Sequence, residues 1–162
     1  MKKIALLFIL AFVSTACDPY WYMTSNYGYW FVVNNTNQTL KLTYSPYNKY
    51  FDIKEVAPGN MIKVAECVYS YYSPSEEPYF DKRLEQINEY GIDTSFIVLS
   101  ERGHPLKEWS FSDRNISGKH FYKENSWKYS RHIIASYKKG DNIEATWVFE
   151  ILPEDLEEES DE

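Results

Sequence analysis

The sequence predicts a mostly β protein: an antiparallel β-sandwich, Ig-like or a related barrel, of about seven to eight strands with one short helix. Three observations lead to this fold class. The chain is a succession of short segments rich in β-branched and aromatic residues, and aromatic residues make up 18% of it. Turn signals separate these segments, and only one stretch has helical spacing. There is no internal repeat, so we expect a single domain.

The first half of this domain contains four predicted strands. They cover residues 29–33, 39–45, 50–56 and 61–68. The turn cluster Asn34-Asn35-Thr36-Asn37 separates the first two strands, and Pro58-Gly59-Asn60 separates the last two. Both clusters consist of residues that favour turns, so they fix where the strands end.

One short helix is predicted after a break in the strand pattern. The break, 69–79, is rich in Ser, Pro and Tyr, and the helix follows at 81–90. Phe80, Leu84 and Ile87 stand at i, i+4 and i+7, which gives a single apolar stripe. We therefore expect this helix to lie against a sheet.

Strands resume in the second half. They cover residues 94–100, 106–112, 127–137 and 143–151. The run 96–99 is apolar on both faces, which predicts a central strand. Residues 143–151 alternate between apolar and polar, as a strand with one buried face does. A polar loop is expected at 113–126, and the turn 138–142 should join the last two strands into a closing hairpin.

The first sixteen residues have the order of a secretory signal peptide. Lys2 and Lys3 give a positive start, 4–13 is apolar, and the small residues 14–16 precede Cys17. The apolar run is too short to cross a bilayer core, which needs roughly 20 residues. We expect cleavage before Cys17 and lipid attachment to its thiol, the most nucleophilic neutral side chain.

Membrane attachment through Cys17 would be durable, because bacterial lipoproteins carry more than one acyl chain and each buried methylene contributes about 0.8 kcal/mol. Ser14 departs from the Leu that the lipoprotein signal prefers three residues before the cysteine. A soluble exported protein, cut by the general signal peptidase, therefore stays an alternative. Cys67 lies in an apolar stretch and should be a buried, inert thiol, unless an unacylated Cys17 forms a disulfide with it.

The predicted boundaries divide the chain into four parts. They are the signal peptide 1–16, an aromatic-rich tether 17–28, a single β-sandwich domain 29–153 and an acidic disordered tail 154–162. Rings of the tether, such as Tyr27, either sit at the level of the lipid headgroups or cover the base of the domain.

Charge argues against nucleic acid as a partner. Without Lys2 and Lys3, 15 basic residues face 24 acidic ones, a net −9, and seven of the acids lie in 154–162. The body is therefore close to neutral and has no basic stripe that would follow a phosphate backbone.

Catalytic and metal signatures are weak. His104, His120 and His132 lack the spacing of a local metal site, so we assign no metal, cofactor or catalytic residue. The segment 136–139 matches S-x-x-K, but it ends a strand where serine–lysine enzymes begin a helix, and the companion motifs are missing.

The compositional excess of aromatic residues suggests a binding surface. Tyr69, Tyr71, Tyr72 and Tyr79 crowd the break between the predicted strands and the helix. Exposed rings stack on sugars or contact a protein partner, as aromatic-rich paratopes do. The alternative is that these four rings pack over the sheet and the helix.

Several segments resemble the small, mostly uncharacterised outer-membrane or surface lipoproteins of Bacteroidetes that have a β-sandwich domain. They are Lys2-Lys3 with Cys17, the 34–37 turn, Pro58-Gly59, 109–113 and 146–153. The resemblance implies an outer-membrane or surface setting, with the facing of the membrane left open, and it implies no particular activity.

Three hypotheses follow for function. The first is a non-enzymatic binding or accessory module at the cell envelope, with a glycan or protein partner. The second is an enzyme acting on envelope or dietary polymers, which would need two converging carboxylates or a histidine cluster. The third is a purely structural envelope protein.

Overall fold

Two four-stranded sheets pack together into a β-sandwich, which confirms the predicted fold class. The computed structural model describes residues 24–45, 53–71, 78–81, 94–137 and 140–156. Within these ranges the strands are β1 (Thr24–Asn34), β2 (Leu40–Ser45), β3 (Lys54–Val56), β4 (Met61–Tyr71), β5 (Ser95–Ser100), β6 (Pro105–Ser110), β7 (Lys128–Tyr137) and β8 (Gly140–Ile151). Three 3-10 helices cover Phe111–Asp113, Glu124–Ser126 and Pro153–Asp155.

The chain passes between the two sheets four times, from β1 to β2, from β3 to β4, from β4 to β5 and from β6 to β7. Sheet A has the order β4-β1-β8-β7 and sheet B the order β3-β2-β5-β6. The predicted central strand, β5, does lie inside its sheet, and β7 and β8 form the predicted closing hairpin. The pairing of β1 with β8 is parallel, whereas the other five described pairs are antiparallel. A parallel pair is possible here because β1 and β8 are not joined by a hairpin.

The core forms between the two sheets from alternate residues of each strand. In β8 the predicted alternation is confirmed, since Ile143, Ala145, Trp147, Phe149 and Ile151 are all buried. Sheet B contributes the buried residues Leu40, Leu42, Val56, Phe96, Val98 and Trp109. Contacts such as Trp109 against Phe149, with ring centroids 5.3 Å apart, join the two sheets.

Two strands of sheet A are longer than the sequence predicts. β1 begins at Thr24, so residues 24–28, which we assigned to the tether, are paired in the sheet. β4 continues to Tyr71, three residues into the predicted break. The two extensions depend on each other, because Thr24 pairs with Tyr71 and Asn26 with Tyr69. Local sequence does not reveal such pairing, since it is made between distant segments.

The predicted loop 113–126 contains an aromatic turn that enters the core. His120, Phe121 and Tyr122 are buried, so the prediction of a purely polar loop is wrong. Phe121 stacks on Phe96 with ring centroids 3.8 Å apart, and its carbonyl accepts a 2.7 Å hydrogen bond from the Trp127 indole N–H. The turn therefore closes one side of the sandwich.

Two predicted turns are held by specific residues. Gly59 has φ of +73°, a conformation that L side chains rarely adopt, which explains the glycine after Pro58. Asn34 is completely buried, and its side-chain N–H groups donate 2.8 Å hydrogen bonds to the carbonyls of Gln38 and Val56. The side chain of Asn34 thus ties the end of β1 to the turn before β2 and to β3.

The two remaining predicted elements are the helix at 81–90 and the acidic tail at 154–162. The predicted helix 81–90 lies outside the described residues except for Asp81, which is in a turn. The tail does not begin abruptly at 154, because Pro153–Asp155 forms a 3-10 helix. There the Asp155 carboxylate accepts the Leu152 N–H at 2.8 Å and pairs with Lys119. Residues 157–162 lie outside the described part.

Candidate binding face

The four tyrosines of the predicted contact region do not form a described site. The backbone of Tyr69 and of Tyr71 belongs to β4. Their side chains, and the whole of Tyr72, lie outside the part of the chain that the structure describes. Tyr79 is 37% exposed and lies between buried Pro78 and Phe80. The structure therefore moves two of the four tyrosines from a loop into a strand.

The residues weighed for chemistry lie apart from one another. Cys17 is outside the described residues, and Cys67 is a buried thiol on β4, as expected of an apolar stretch. His104 and His132 are exposed, whereas His120 is buried in the aromatic turn. In the described part of the chain, no group of three His, Cys, Asp or Glu residues is arranged to hold a metal ion.

A row of aromatic side chains occupies the outer side of sheet A. Along β1, the buried residues alternate with the half-buried Tyr27, Tyr29 and Phe31. The buried residues of β1 face the core between the sheets. The rings of Tyr27, Tyr29 and Phe31 therefore face away from sheet B. We name them, together with their neighbours on β4 and β8, the aromatic face.

The rings of this row are arranged in register along the strand. The rings of Tyr27 and Tyr29 are stacked, with centroids 6.3 Å apart and planes within 6° of parallel. Phe31 continues the row at 6.3 Å from Tyr29 with its ring tilted by 45°. The separation follows from the strand itself, because residues i and i+2 point to the same side about 6.6 Å apart.

Polar and charged side chains border the row on both sides. Tyr27 pairs across the sheet with Val68 and Glu144, and Tyr29 pairs with Glu66 and Thr146. The outer margin on β4 is open to solvent, since Val68 is 58% exposed. The face thus combines an aromatic centre with hydrogen-bonding groups at its margins.

The charges at the margins are mostly paired. Lys63 forms an ion pair with Glu66 and also lies over the ring of Tyr29, with Nζ 5.5 Å from the centroid. Lys128 pairs with Glu150 at 2.6 Å. Glu144 makes no ion pair with any residue that the structure describes. The aromatic face therefore carries a small local excess of negative charge beside Tyr27.

The Tyr29 hydroxyl remains a hydrogen-bond donor at neutral pH. Burial is the largest cause of a raised pKa for Tyr29, and the carboxylates of Glu144 and Glu66 raise this pKa further, while Lys63 lowers it. Because the ordinary pKa of tyrosine is already about 10, the hydroxyl keeps its proton.

Sequence reasoning missed this face because it cut the aromatic run in the middle. Tyr27 was assigned to the tether, whereas Phe31 was assigned to the first strand. The signal was present as alternation, since Tyr27, Tyr29 and Phe31 stand at i, i+2 and i+4 of one segment. Reading 24–34 as one strand would have placed all three rings on one side.

Comparisons with protein-family models, curated proteins and solved structures give no significant match for this chain. A search of the described residues for a long apolar helix of membrane-spanning length gives none.

Proposed function

We propose that this chain is an exported lipoprotein of the cell envelope that acts as a non-enzymatic binding or accessory module. In this proposal, acyl chains on Cys17 hold it to a membrane, and the aromatic face binds the partner. One observation supports binding above the others: Tyr27, Tyr29 and Phe31 form a row on the solvent side of an interior strand. Polar residues usually occupy such positions, so a row of rings indicates a contact surface.

The short tether supports a defined orientation at the membrane. Seven residue steps separate Cys17 from Thr24, and an extended chain covers at most about 3.5 Å per step, or roughly 25 Å in total. Thr24 lies at the same end of sheet A as Tyr71 and the β7–β8 turn. An acylated Cys17 would keep this end near the membrane and leave the aromatic face open on the side of the domain.

Lipid attachment is tested on the processed chain. We expect its intact mass to include acyl groups, and we expect the protein to enter the detergent phase of a detergent–water partition. A Cys17→Ser variant should remain in the aqueous phase. A wild-type chain with a bare cysteine in the aqueous phase would contradict the anchor and favour the soluble exported alternative.

Binding is tested with the processed protein and isolated cell-envelope polysaccharide. The double variant Tyr27→Ser/Tyr29→Ser should bind at least about tenfold more weakly, a loss of roughly 1.4 kcal/mol. Tyr129→Ser is the matched control, because Tyr129 is a half-exposed tyrosine of the same sheet on the opposite side, 5.2 Å from the Trp147 ring. Equal retention of all three proteins would contradict binding through this face.

A further inference from the structure

From the chemistry of the aromatic face we infer the class of its ligand, an inference that rests on the proposed binding function. We propose that the face binds a neutral, linear glycan whose chain runs along β1 over Tyr27, Tyr29 and Phe31. Three features of the described residues favour this occupant over other polymers: the shape of the row, the balance of charge and the groups at its margins.

The shape of the row suits a short stretch of extended polymer. From Tyr27 to Phe31 the strand rises about 3.3 Å per residue, so the row is roughly 13 Å long. Tyr27 and Tyr29 lie nearly parallel, and both rings are half-buried on the outer side of the sheet. Sugar rings present an apolar C–H side that stacks on such rings, and rigid aromatic side chains lose little conformational entropy on binding.

The charges of the face disfavour polyanions and polycations alike. Glu144 lies beside Tyr27 and is without an ion pair among the described residues, so it repels acidic polysaccharides and nucleic acid. Lys63 already lies over the Tyr29 ring, where a cationic ligand would otherwise gain a cation–π contact. A neutral ligand meets neither penalty.

The margins supply groups that bind sugar hydroxyls. Glu144 accepts hydrogen bonds, and hydrogen bonds to a charged group are stronger than neutral ones. Thr146 is the β8 partner of Tyr29, and Ser130 is the β7 partner of Thr146, so both hydroxyls lie on the same side of the sheet as the row. The protonated Tyr29 hydroxyl adds a donor within the row itself.

The experiment titrates the processed protein in detergent with defined oligosaccharides. The probes are neutral hexasaccharides of glucose, mannose and xylose, an acidic hexasaccharide of galacturonic acid, and a lysine-rich peptide. We expect one or more neutral hexasaccharides to bind and both charged probes to bind at least about tenfold more weakly. Tighter binding of a charged probe, or no binding of any neutral one, would overturn the inference.

Variants tie this binding to the face. Tyr27→Ser/Tyr29→Ser should lower the affinity at least about tenfold, whereas Tyr27→Phe/Tyr29→Phe, which keeps the rings, should lower it about threefold or less. Glu144→Gln should weaken binding about threefold through loss of the charged acceptor. Tyr129→Ser should bind as the wild type does. Unchanged affinity of the double serine variant would overturn the inference.

Two measurements distinguish failure of this inference from misfolding of a variant and from failure of the proposed binding function. If the double serine variant does not fold, the ring proton shifts of Tyr27 and Tyr29 in the wild type should still move on glycan addition, and their constancy would overturn the inference. Retention of the envelope polysaccharide through Tyr27 and Tyr29, without binding of any neutral hexasaccharide, would reject a neutral linear glycan as the ligand and leave the proposed binding function in place.

Discussion

The two sides of β1 carry aromatic rings of equal prominence with different surroundings. On the inner side, Trp30 stacks on Trp147 with ring centroids 4.7 Å apart, and both are nearly inaccessible to solvent. On the outer side, Tyr27 and Tyr29 stack at 6.3 Å and are only half-buried. The inner rings contact the core, whereas the outer rings keep part of their surface exposed to solvent.

This difference separates rings that stabilise the fold from rings available for a partner. Phe80 and Phe149 belong to the buried core cluster that contains the inner rings, so removing a ring there leaves a cavity. Removing an outer ring should cost less, because that ring is already partly exposed to solvent. Substitutions on the two sides of β1 test this contrast.

The largest effect on stability is expected on the inner side. Trp147→Ala should lower the free energy of unfolding by about 3–5 kcal/mol, because it removes a large buried ring from the centre of sheet A. Phe31→Ala on the outer side should cost about 1 kcal/mol or less. Denaturant unfolding of both variants measures the contrast, and similar losses for the two would show that the outer row also supports the fold.

A methyl group added at Gly28 should also damage the inner side. A Cβ there would lie 3.0 Å from the Trp30 ring and 3.4 Å from the Trp147 ring. Gly28→Ala should therefore lower the free energy of unfolding by about 1–3 kcal/mol through overpacking. The matched change Ser25→Ala, on the outer side of the same strand, should leave thermal stability nearly unchanged. If Gly28→Ala leaves the free energy of unfolding unchanged, the two indole rings can move apart to admit the methyl group.

Acidification should weaken the interior through His120. Burial first, then the positive charge of Lys123, lowers the pKa of His120, with a smaller contribution from Lys107 and an opposing one from Asp113. Its Nδ1 also accepts the Tyr122 N–H at 3.2 Å, a bond that protonation removes. The contribution of neutral His120 to the free energy of unfolding should thus be fully present above about pH 6.5. It should be lost as the pH falls toward the lowered pKa of His120.

The pH dependence has a direct control. His120→Gln should unfold with a flatter dependence on pH between 7.5 and 5, measured by denaturant titration at each pH. His132→Gln serves as the matched change, because His132 is exposed on β7. If His120→Gln keeps the full dependence of the wild type, other groups are responsible.

The smallest effect is expected for an ion pair at the margin of the aromatic face. Lys128 pairs with Glu150 at 2.6 Å, but the Lys128 side chain is 71% exposed, so water and salt screen the pair. Lys128→Met should change the free energy of unfolding by less than about 1 kcal/mol. A double-mutant cycle with Glu150→Gln measures the coupling, and a larger value would mean that the margin contributes to the fold.

Much of sheet A could be predicted from local pattern, whereas its extent could not. The alternation in 143–151 predicted both the strand and its buried side, and Pro58-Gly59 predicted a turn. The residues before Tyr29 resembled a tether, because their aromatic and polar composition does not by itself distinguish strand from linker. Pairing with β4 on one side and β8 on the other makes them a strand.

The candidate site shows the same division. The sequence singled out tyrosines as the unusual feature but pointed to Tyr69, Tyr71, Tyr72 and Tyr79, where the rings are most crowded. The row that the structure presents on one side of a strand is formed by Tyr27, Tyr29 and Phe31. Crowding measures composition, whereas a binding face depends on which residues share one side of a sheet.

Local sequence was enough to predict the β-rich fold class, the eight strand segments, the closing hairpin and the inward side of β8, because these depend on alternation and turn residues within a few positions. Tertiary structure alone decided the parallel pairing of β1 with β8, the entry of Phe121 and Tyr122 into the core, and the outward position of the aromatic row. These features depend on contacts between residues far apart in the chain, and local sequence patterns carry no information about which distant segment will become a neighbour.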